Sequence, residues 1–416
     1  MSRLKTPSLP DPNLSTTVLV VGAGKEPEIS VGISFTGLAL AQGLKKYENL
    51  DTPSRDWNMG LHWGVGPSKG LLPGQLWARI PSIQVDPYTL PEEKDALPFV
   101  NSQSREAMAS IPVPFFYRLL RRKLRGLMEQ SLDIQYGKAI DSIEYSTSGG
   151  YAKAVFEDGS SLWARLIVGD DGARSKTRLS LLGPTIGQPR QLPYFATFVQ
   201  ARYSPDRARF LRQFYPLHLA GIYPAGHVSL FGVHDAADRD RPEAWTFVFY
   251  ISWHSSVEEQ RETAGWTNGQ RLQQVKEFSK TFSEPWKSAF AWLPDDHPVW
   301  YMGLTDFDPR AEGHRWENHN GQVRLAGDAA HIMIYQRGQG LNHSVTDAAN
   351  LVEAVRRFVS GTSTQADAIS DYDTEMIDRA GGETNLSTVN TEMLHDWQKV
   401  LQSPLFTSGT TRRGRG

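Results

Sequence analysis

In the stretch "VRLAGDAAHIMIYQRGQGLNHSVTDAANLVEAV" (residues 323–355), an apolar run ends at Gly327 and presents Asp328. A loop holding Gly338 and Gly340 then opens onto a helical pattern. An aspartate at a strand end can accept hydrogen bonds from the hydroxyls of a sugar chain. A helix N-terminus carries partial positive charge, worth roughly 0.3–1 kcal/mol to an adjacent anion at exposed sites. Together they would hold a sugar-linked ring and steady negative charge that builds up on it. A second signal is "LIVGDDGARSKTR" (residues 166–178), where a strand delivers Asp171 and Gly172 to a tight turn ahead of Arg174, Ser175 and Arg178. Asp-Gly is also an ordinary surface-turn pair, so this stretch alone leaves both readings open.

A third signal lies near the N-terminus, where the β-branched run 18–21 ends at Gly22 and Gly24. Glycines at such a turn let backbone approach a pyrophosphate and aim a helix N-terminus at it. The dinucleotide fingerprint leaves two residues between its second and third glycines. Here the best candidate is Gly37, with twelve residues between it and Gly24. The acidic residue that should grip a ribose is displaced too: Glu48 follows Gly37 by only eleven residues, and the helix "GLALAQGLKK" fills most of that interval. No room remains for the second strand that normally precedes the acid. Two accounts fit: a misjoined reading frame, or a variant whose helix starts early, near Pro27, a residue favoured in a first helical turn.

The elements that must position these residues follow from the pattern. Between 132 and 168, short strands alternate with turn signals at "STSGG" and "EDGSS". From 193 to about 253 the chain is rich in aromatic and β-branched residues, which predicts a separate antiparallel sheet. Over 340–359, Leu341, Val345, Ala348, Val352, Val355 and Val359 recur at steps of three and four, predicting an amphipathic helix. Strands bearing glycine turns therefore sit at both ends of the sequence around a β-rich middle. At 416 residues, two or three core-forming units are expected. A net charge of -2 gives no reason to expect nucleic acid or an anionic membrane as partner. No apolar run reaches the roughly 20 residues of a membrane span. The chain has no cysteine, which excludes disulfides and thiol catalysis, and its N-terminus lacks an apolar leader, so the cytoplasm is the expected location. The eleven histidines show no zinc-ligand spacing, and no metal is expected. The end, "TTRRGRG", reads as a disordered basic tail.

In this order and spacing, the three motifs resemble the FAD-dependent aromatic hydroxylases (group A flavoprotein monooxygenases), in the short form common among fungal secondary-metabolism enzymes. The resemblance spans nearly the whole chain. It implies an α/β fold: a Rossmann-like FAD-binding domain with an interleaved antiparallel-sheet substrate domain and C-terminal helices. The expected division is 14–70, 100–190 and 300–365 for FAD, 71–99 and 191–299 for substrate, 366–405 for the C-terminal helical segment, and 406–416 for the tail. By the same resemblance, Gly22, Gly24 and Gly37 cradle the pyrophosphate and Glu48 binds the adenosine ribose. The stretch "YRLLRRKLRGLM" (117–128), read as a helix, matches the family's R-x-x-L element, with Arg121 toward FAD. Asp171 falls on a motif shared by FAD and the nicotinamide donor. Asp328 matches the ribityl-binding aspartate, and Gly340, Leu341 and Asn342 the flavin-ring contacts. Where the family often has prolines, this chain has Ile334 and Tyr335.

The implied reaction is hydroxylation of an activated, phenolic or polyketide-derived ring. NADPH or NADH reduces the flavin, O2 adds to give a C4a-hydroperoxide, and that species transfers OH to the substrate. The flavin carries the chemistry, and the protein binds it, orients it and excludes water. An epoxidase or Baeyer–Villiger oxygenase on the same scaffold, or a remnant with impaired FAD binding, are the alternatives. A halogenase is disfavoured, because its W-x-W-x-I-P signature is absent. Tyr194, Phe195 and Phe198 are candidates for the substrate floor. His331 is expected to pack beside the flavin loop, and His62 to be a buried structural histidine. No pattern singles out a base among His218, His227, His234 and His254.

Overall fold

The structure, a computed structural model, describes residues 18–21, 56–92, 94–130, 135, 137–146, 150–215 and 217–410. Gly22, Gly24, Gly37 and Glu48 lie outside the described residues. The first strands are β1 (Val18–Val21), β2 (Asn58–Leu61), β3 (Lys94–Asn101), β4 (Ala107–Pro114) and β5 (Tyr117–Leu120). Next come β6 (Ile140–Tyr145), β7 (Ala152–Phe156), β8 (Ser161–Ala164), β9 (Leu166–Gly169) and β10 (Arg190–Arg202). The last are β11 (His218–Tyr223), β12 (His227–Asp235), β13 (Thr246–His254), β14 (Val299–Asp306) and β15 (Val323–Leu325). The helices used below are α1 (Val65–Leu71), α2 (Arg121–Met128), α3 (Lys176–Ile186), α4 (Asn268–Ser279) and α5 (Trp286–Ala291). They continue with α6 (Gly340–Val359), α7 (Gln365–Leu394) and α8 (Pro404–Ser408).

Two sheets do most of the positioning. Strands β1, β9 and β15 form a parallel sheet with β9 in the middle. Its sequence "LIVG" is buried throughout, as a strand covered on both faces requires. The second sheet has seven strands in the order β14-β10-β13-β12-β11-β3-β4, antiparallel except where β11 meets β3. It takes in 94–114 and 299–306, so it reaches past the expected boundaries at 99 and 299. Strands β6, β7 and β8 form a meander, and β2 pairs with β5 as a ribbon.

Side chains alternate across a strand, and this sorts the aromatics of β10. Phe195 and Val199 face α4 and α5, packing with Phe249, Val275, Trp286 and Phe290. Tyr194, Ala196 and Phe198 face the other way, against Ile334 and Tyr335. Phe195 therefore belongs to the sheet's far core, with the Arg271 guanidinium 4.5 Å from its ring centroid. It is not on the floor beside the loop.

Three further expectations are corrected. Residues 117–120 form β5, not the start of a helix, because they pair with β2; the helix begins at Arg121. The buried stripe of α6 runs through Leu341, Val345, Ala348, Leu351, Ala354 and Phe358, while Val359 is 53% exposed. The helix is wedged between β2 and α1 on one side and α7 on the other, so Asn342, His343 and Asp347 are buried as well. Finally, 406–410 is not tail: α8 ends at Ser408, and the carbonyls of Gly409 and Thr410 accept hydrogen bonds from Arg337 and Gln339. No helix among the described residues is long and apolar enough to cross a membrane.

The close approach of α3 to β9 depends on Gly169. A Cβ there would lie 2.4 Å from Thr177 Cγ2. Gly169→Ala is expected to cost about 1–3 kcal/mol by overpacking. Urea unfolding measures this, and an unchanged midpoint would contradict the packing described.

Candidate functional site

The three motifs meet at the carboxyl ends of the parallel strands. The Asp170 N–H donates to the Val21 carbonyl (2.7 Å), and the Ala326 N–H to the Gly169 carbonyl (3.0 Å). In open parallel sheets this edge is where ligand crevices form. Arg178, fully buried, ties the second motif to the third. Its guanidinium donates to the carbonyls of Gly187 (2.8 Å), Ala329 (2.8 Å) and Asp328 (3.2 Å), and to that of Ala173. It lies over the Phe307 ring at 4.5 Å. Burial lowers its pKa to about 10, so it stays charged near neutrality. The Asp171 carboxylate accepts from the Ser175 hydroxyl and from the Thr177 N–H (3.0 Å) and hydroxyl (3.1 Å). Its acceptors are therefore directed at the first turn of α3, which fixes the Asp-Gly turn.

Asp328 sits in a single 3-10 turn, Gly327–Ala329, directly after β15. Gly327 has a φ of +57°, a conformation that favours glycine. The Gly327 N–H donates to Asp347 Oδ2 (2.9 Å), a residue two turns into α6. The same carboxylate receives His331 Nε2 (2.7 Å) and the Arg379 guanidinium (2.6 Å). Burial alone would raise the Asp347 pKa, but His331 and Arg379 hold it well below the carboxylate range. Arg379 in turn bonds Glu375 (2.8 Å) and His343 Nδ1 (2.8 Å). His331 is thus a structural partner of Asp347.

The Asp328 carboxylate itself has no hydrogen-bond donor among the described residues. Withdrawal from water pushes its pKa up, opposed by His331, Arg178 and Arg121. Arg121 starts α2, with its guanidinium 4.5 Å from the Trp57 ring centroid. Burial and Arg125 lower its pKa, while Asp56 and Asp328 act in the opposite direction, so Arg121 and Asp328 share one field.

Gly338, at φ +64°, closes the turn Tyr335–Arg337 ahead of α6. A Cβ at Gly338 or Gly340 would meet nothing within 4 Å, so open space adjoins both. The N–H groups of Gly340 and Leu341 have no acceptor among the described residues. Asn342, in contrast, is fully buried and its side chain is engaged. Its Oδ1 accepts from the N–H of His62 (3.0 Å) and Gly64 (3.0 Å), and its Nδ2 donates to the Gly60 carbonyl (3.0 Å). Asn342 therefore clamps the segment 60–64 to the start of α6. His62 is the buried structural histidine expected, contacting the Gly338 carbonyl (3.4 Å), with its pKa lowered to about 4, chiefly by burial. Arg337 is held by Glu383 (2.7 Å), and Gln339 accepts from Trp63 Nε1 (2.9 Å).

Arg121 and Asp328 feel each other's charge, the turn carrying Asp328 is tied to α6 through Asp347, and open space adjoins the start of that helix at Gly340. Sequence reasoning missed Asp347, Arg379 and the bridging role of Arg178. An acidic residue beside the apolar stripe of α6 was the available signal for Asp347. A carboxylate without donors, a nearby guanidinium and two free N–H groups at a helix start suit a ligand carrying hydroxyls and an electron-accepting ring. FAD has that chemistry.

The family model described as FAD binding domain matches residues 89–384. The chain belongs to the FAD-dependent monooxygenases. It is 32% identical to the FAD-dependent monooxygenase cctM of Talaromyces islandicus, covering 95% of this chain and 97% of that one. It is 30% identical to phnB of Penicillium herquei, covering 95% of each. Among solved structures it resembles 2,6-dihydroxypyridine-3-hydroxylase from Arthrobacter nicotinovorans (TM-score 0.67, 13% identity, 91% and 92% covered). It also resembles HpxO of Klebsiella pneumoniae complexed with FAD and uric acid (TM-score 0.64, 17% identity, 94% and 92% covered). These two likenesses show the fold of the monooxygenase, which is the α/β arrangement with an interleaved sheet.

Two expected outcomes follow from this geometry. In Asp347→Asn the buried ion cluster is broken, at a cost of about 3–5 kcal/mol. Because the Asp347 pKa is depressed by folding, its contribution is present above the unfolded carboxylate value and lost as pH falls through the folded one. The variant should therefore show a flatter acid limb in urea unfolding followed against pH; an unchanged limb would contradict the role given to Asp347. Asp328 is the opposite case. Its raised pKa means that ionisation weakens the fold as pH rises through that value, so FAD-free Asp328→Asn should be at least as stable near neutrality. Its FAD affinity should fall by about 1.5–3 kcal/mol, roughly tenfold to a hundredfold. Fluorescence titration with FAD measures this, and unchanged affinity would remove Asp328 from the site.

Proposed function

We propose that this monooxygenase hydroxylates an aromatic, phenolic small molecule in the cytoplasm, using FAD, NADH or NADPH, and O2. The observation that carries the reading is an aromatic wall facing the Gly338 turn. Phe198 stands directly opposite Tyr250 on one side and Trp300 on the other. The Phe198 and Trp300 rings stack at 5.6 Å and 3°. Tyr335 meets Tyr250 edge-on at 5.3 Å and Phe198 at 5.4 Å. Such a surface recognises a flat ring and keeps water from it. Both solved relatives carry ring compounds in their names, a dihydroxypyridine and uric acid.

FAD, when bound, supplies the two-electron transfer and the activation of O2. The protein's share is positional. The Asp328 carboxylate would accept hydrogen bonds from the ribityl hydroxyls. The N–H groups of Gly340 and Leu341 would face the pyrimidine end and stabilise negative charge there on reduction. Arg121 would add positive charge on the same side. Burial pushes the phenol of Tyr250 above its ordinary value, with its hydrogen bond to Tyr335 acting the other way, so the wall carries no charge. Arg178 holds the second motif against the third, Asp171 fixes the turn within the second, and Asn342 pins the segment 60–64.

Purified protein reconstituted with FAD tests the reading. NAD(P)H oxidation should be stimulated by phenols, and product formed under 18O2 should gain one labelled oxygen. Failure to take up FAD, or product without the label, would overturn it.

A further inference from the structure

The ribbon β2–β5 lays one face across the end of the seven-stranded sheet. Gly60 pairs directly with Arg118, and alternation places Asn58, Gly60, Phe116 and Arg118 on that face. The contacts agree. Asn58 Nδ2 donates to the Val233 carbonyl (2.8 Å), and Phe116 meets His218 edge-on at 5.9 Å. A terminal nitrogen of Arg118 lies 2.9 Å from where a Cβ on Gly232 would stand. His62 continues the same face to the Gly338 carbonyl. Arg118 thus lies between the ribbon and the sheet, on the side of the flavin loop. Gly232 beside it, having no Cβ, lets the guanidinium come this close to the sheet.

The Arg118 side chain has no hydrogen bond or ion pair among the described residues, and its Nε is buried without a partner. The carboxylates on neighbouring elements are engaged elsewhere. Asp56 accepts from the Arg122 N–H (3.1 Å) and lies 3.6 Å from His234; Asp235 pairs with Lys123 (3.0 Å); Asp86 pairs with Arg212. His218 beside it is buried, with its pKa well below the usual value through burial and the Arg118 charge, so it adds no second cation and no anion. A guanidinium whose Nε is shut off from water and that has no anion beside it is unfavourable. Its planar fork of donors matches a carboxylate or other anionic oxygen.

We propose that Arg118 binds an anionic oxygen of the aromatic substrate, a carboxylate or a phenolate, in the space between the ribbon and the seven-stranded sheet. This rests on the aromatic-hydroxylase reading for the identity of the ligand, and on the unpaired guanidinium for its charge.

The test titrates the FAD-loaded protein, by tryptophan fluorescence, with 2-naphthoate, with neutral 2-naphthamide, and with 4-nitrophenol above and below that compound's own pKa. At least one anionic probe should bind about tenfold more tightly than its neutral counterpart, a difference of about 1.4 kcal/mol. The tighter of the two anions identifies the source. Arg118→Met, which keeps the volume of the stem, should erase the preference, and Arg118→Lys should keep part of it. Equal binding of charged and neutral probes by the wild-type protein overturns the proposal without recourse to any variant. A preference that survives Arg118→Met overturns it too. The titration needs no turnover. Anion-selective binding without NAD(P)H oxidation would therefore refute the hydroxylase reading and leave Arg118 standing, whereas turnover of neutral and anionic phenols alike, with equal binding, would do the reverse.

Discussion

A buried carboxylate needs partners, and Asp347 has three: the Gly327 N–H, His331 and Arg379. Each comes from a different element, the turn after β15, the loop beyond it, and α7. The hydrogen bond to Gly327 matters most for function, because the next residue is Asp328. Helix α6 thereby sets the position of the aspartate at the strand end, while its own first turn supplies the free N–H groups of Gly340 and Leu341. The helix thus carries one half of the candidate flavin site and anchors the other through Asp347, two turns from its start. Sites built on rigid elements in this way hold their geometry better than sites on loops.

Around that hub, other buried polar groups do related work. Arg178 spans the two strand-end turns through backbone carbonyls, and Asn342 pins the segment 60–64. Arg324, fully buried on β15, pairs with Asp373 of α7 (2.7 Å). Helix α7 is therefore an integral brace of the FAD-binding region through Asp373, Glu375 and Arg379. Arg118 differs from these in that its side chain has no hydrogen-bond or ion-pair partner among the described residues.

Much of the architecture was legible in the sequence. The β-branched run 18–21, the apolar "LIVG" of β9 and the aromatic stretch over 193–253 each read as the strands they are, because hydrophobic pattern and β-propensity agreed. The "GDAAH" stretch and the helix at 340–359 were readable for the same reason. The α6 stripe was misjudged because periodicity assumes one buried face, and α6 has two. Residues 117–120, "YRLL", have helical composition, but cross-strand pairing with β2, a long-range effect, overrides it. Phe195 and Phe198 could not be told apart in kind, only by the parity that places them on opposite faces. The Asp347–Arg379 and Arg178 links join residues far apart in sequence, and no local pattern announces them.

The account stands on one arrangement: Asp328 and the start of α6 gripping the same flavin from two directions. A crystal structure of the protein loaded with FAD tests it most directly. The account predicts the ribityl hydroxyls within hydrogen-bond distance of the Asp328 carboxylate, and the pyrimidine edge over the Gly340 and Leu341 N–H groups. FAD bound with its ring elsewhere, or Asp328 still without a donor in the loaded protein, would contradict it.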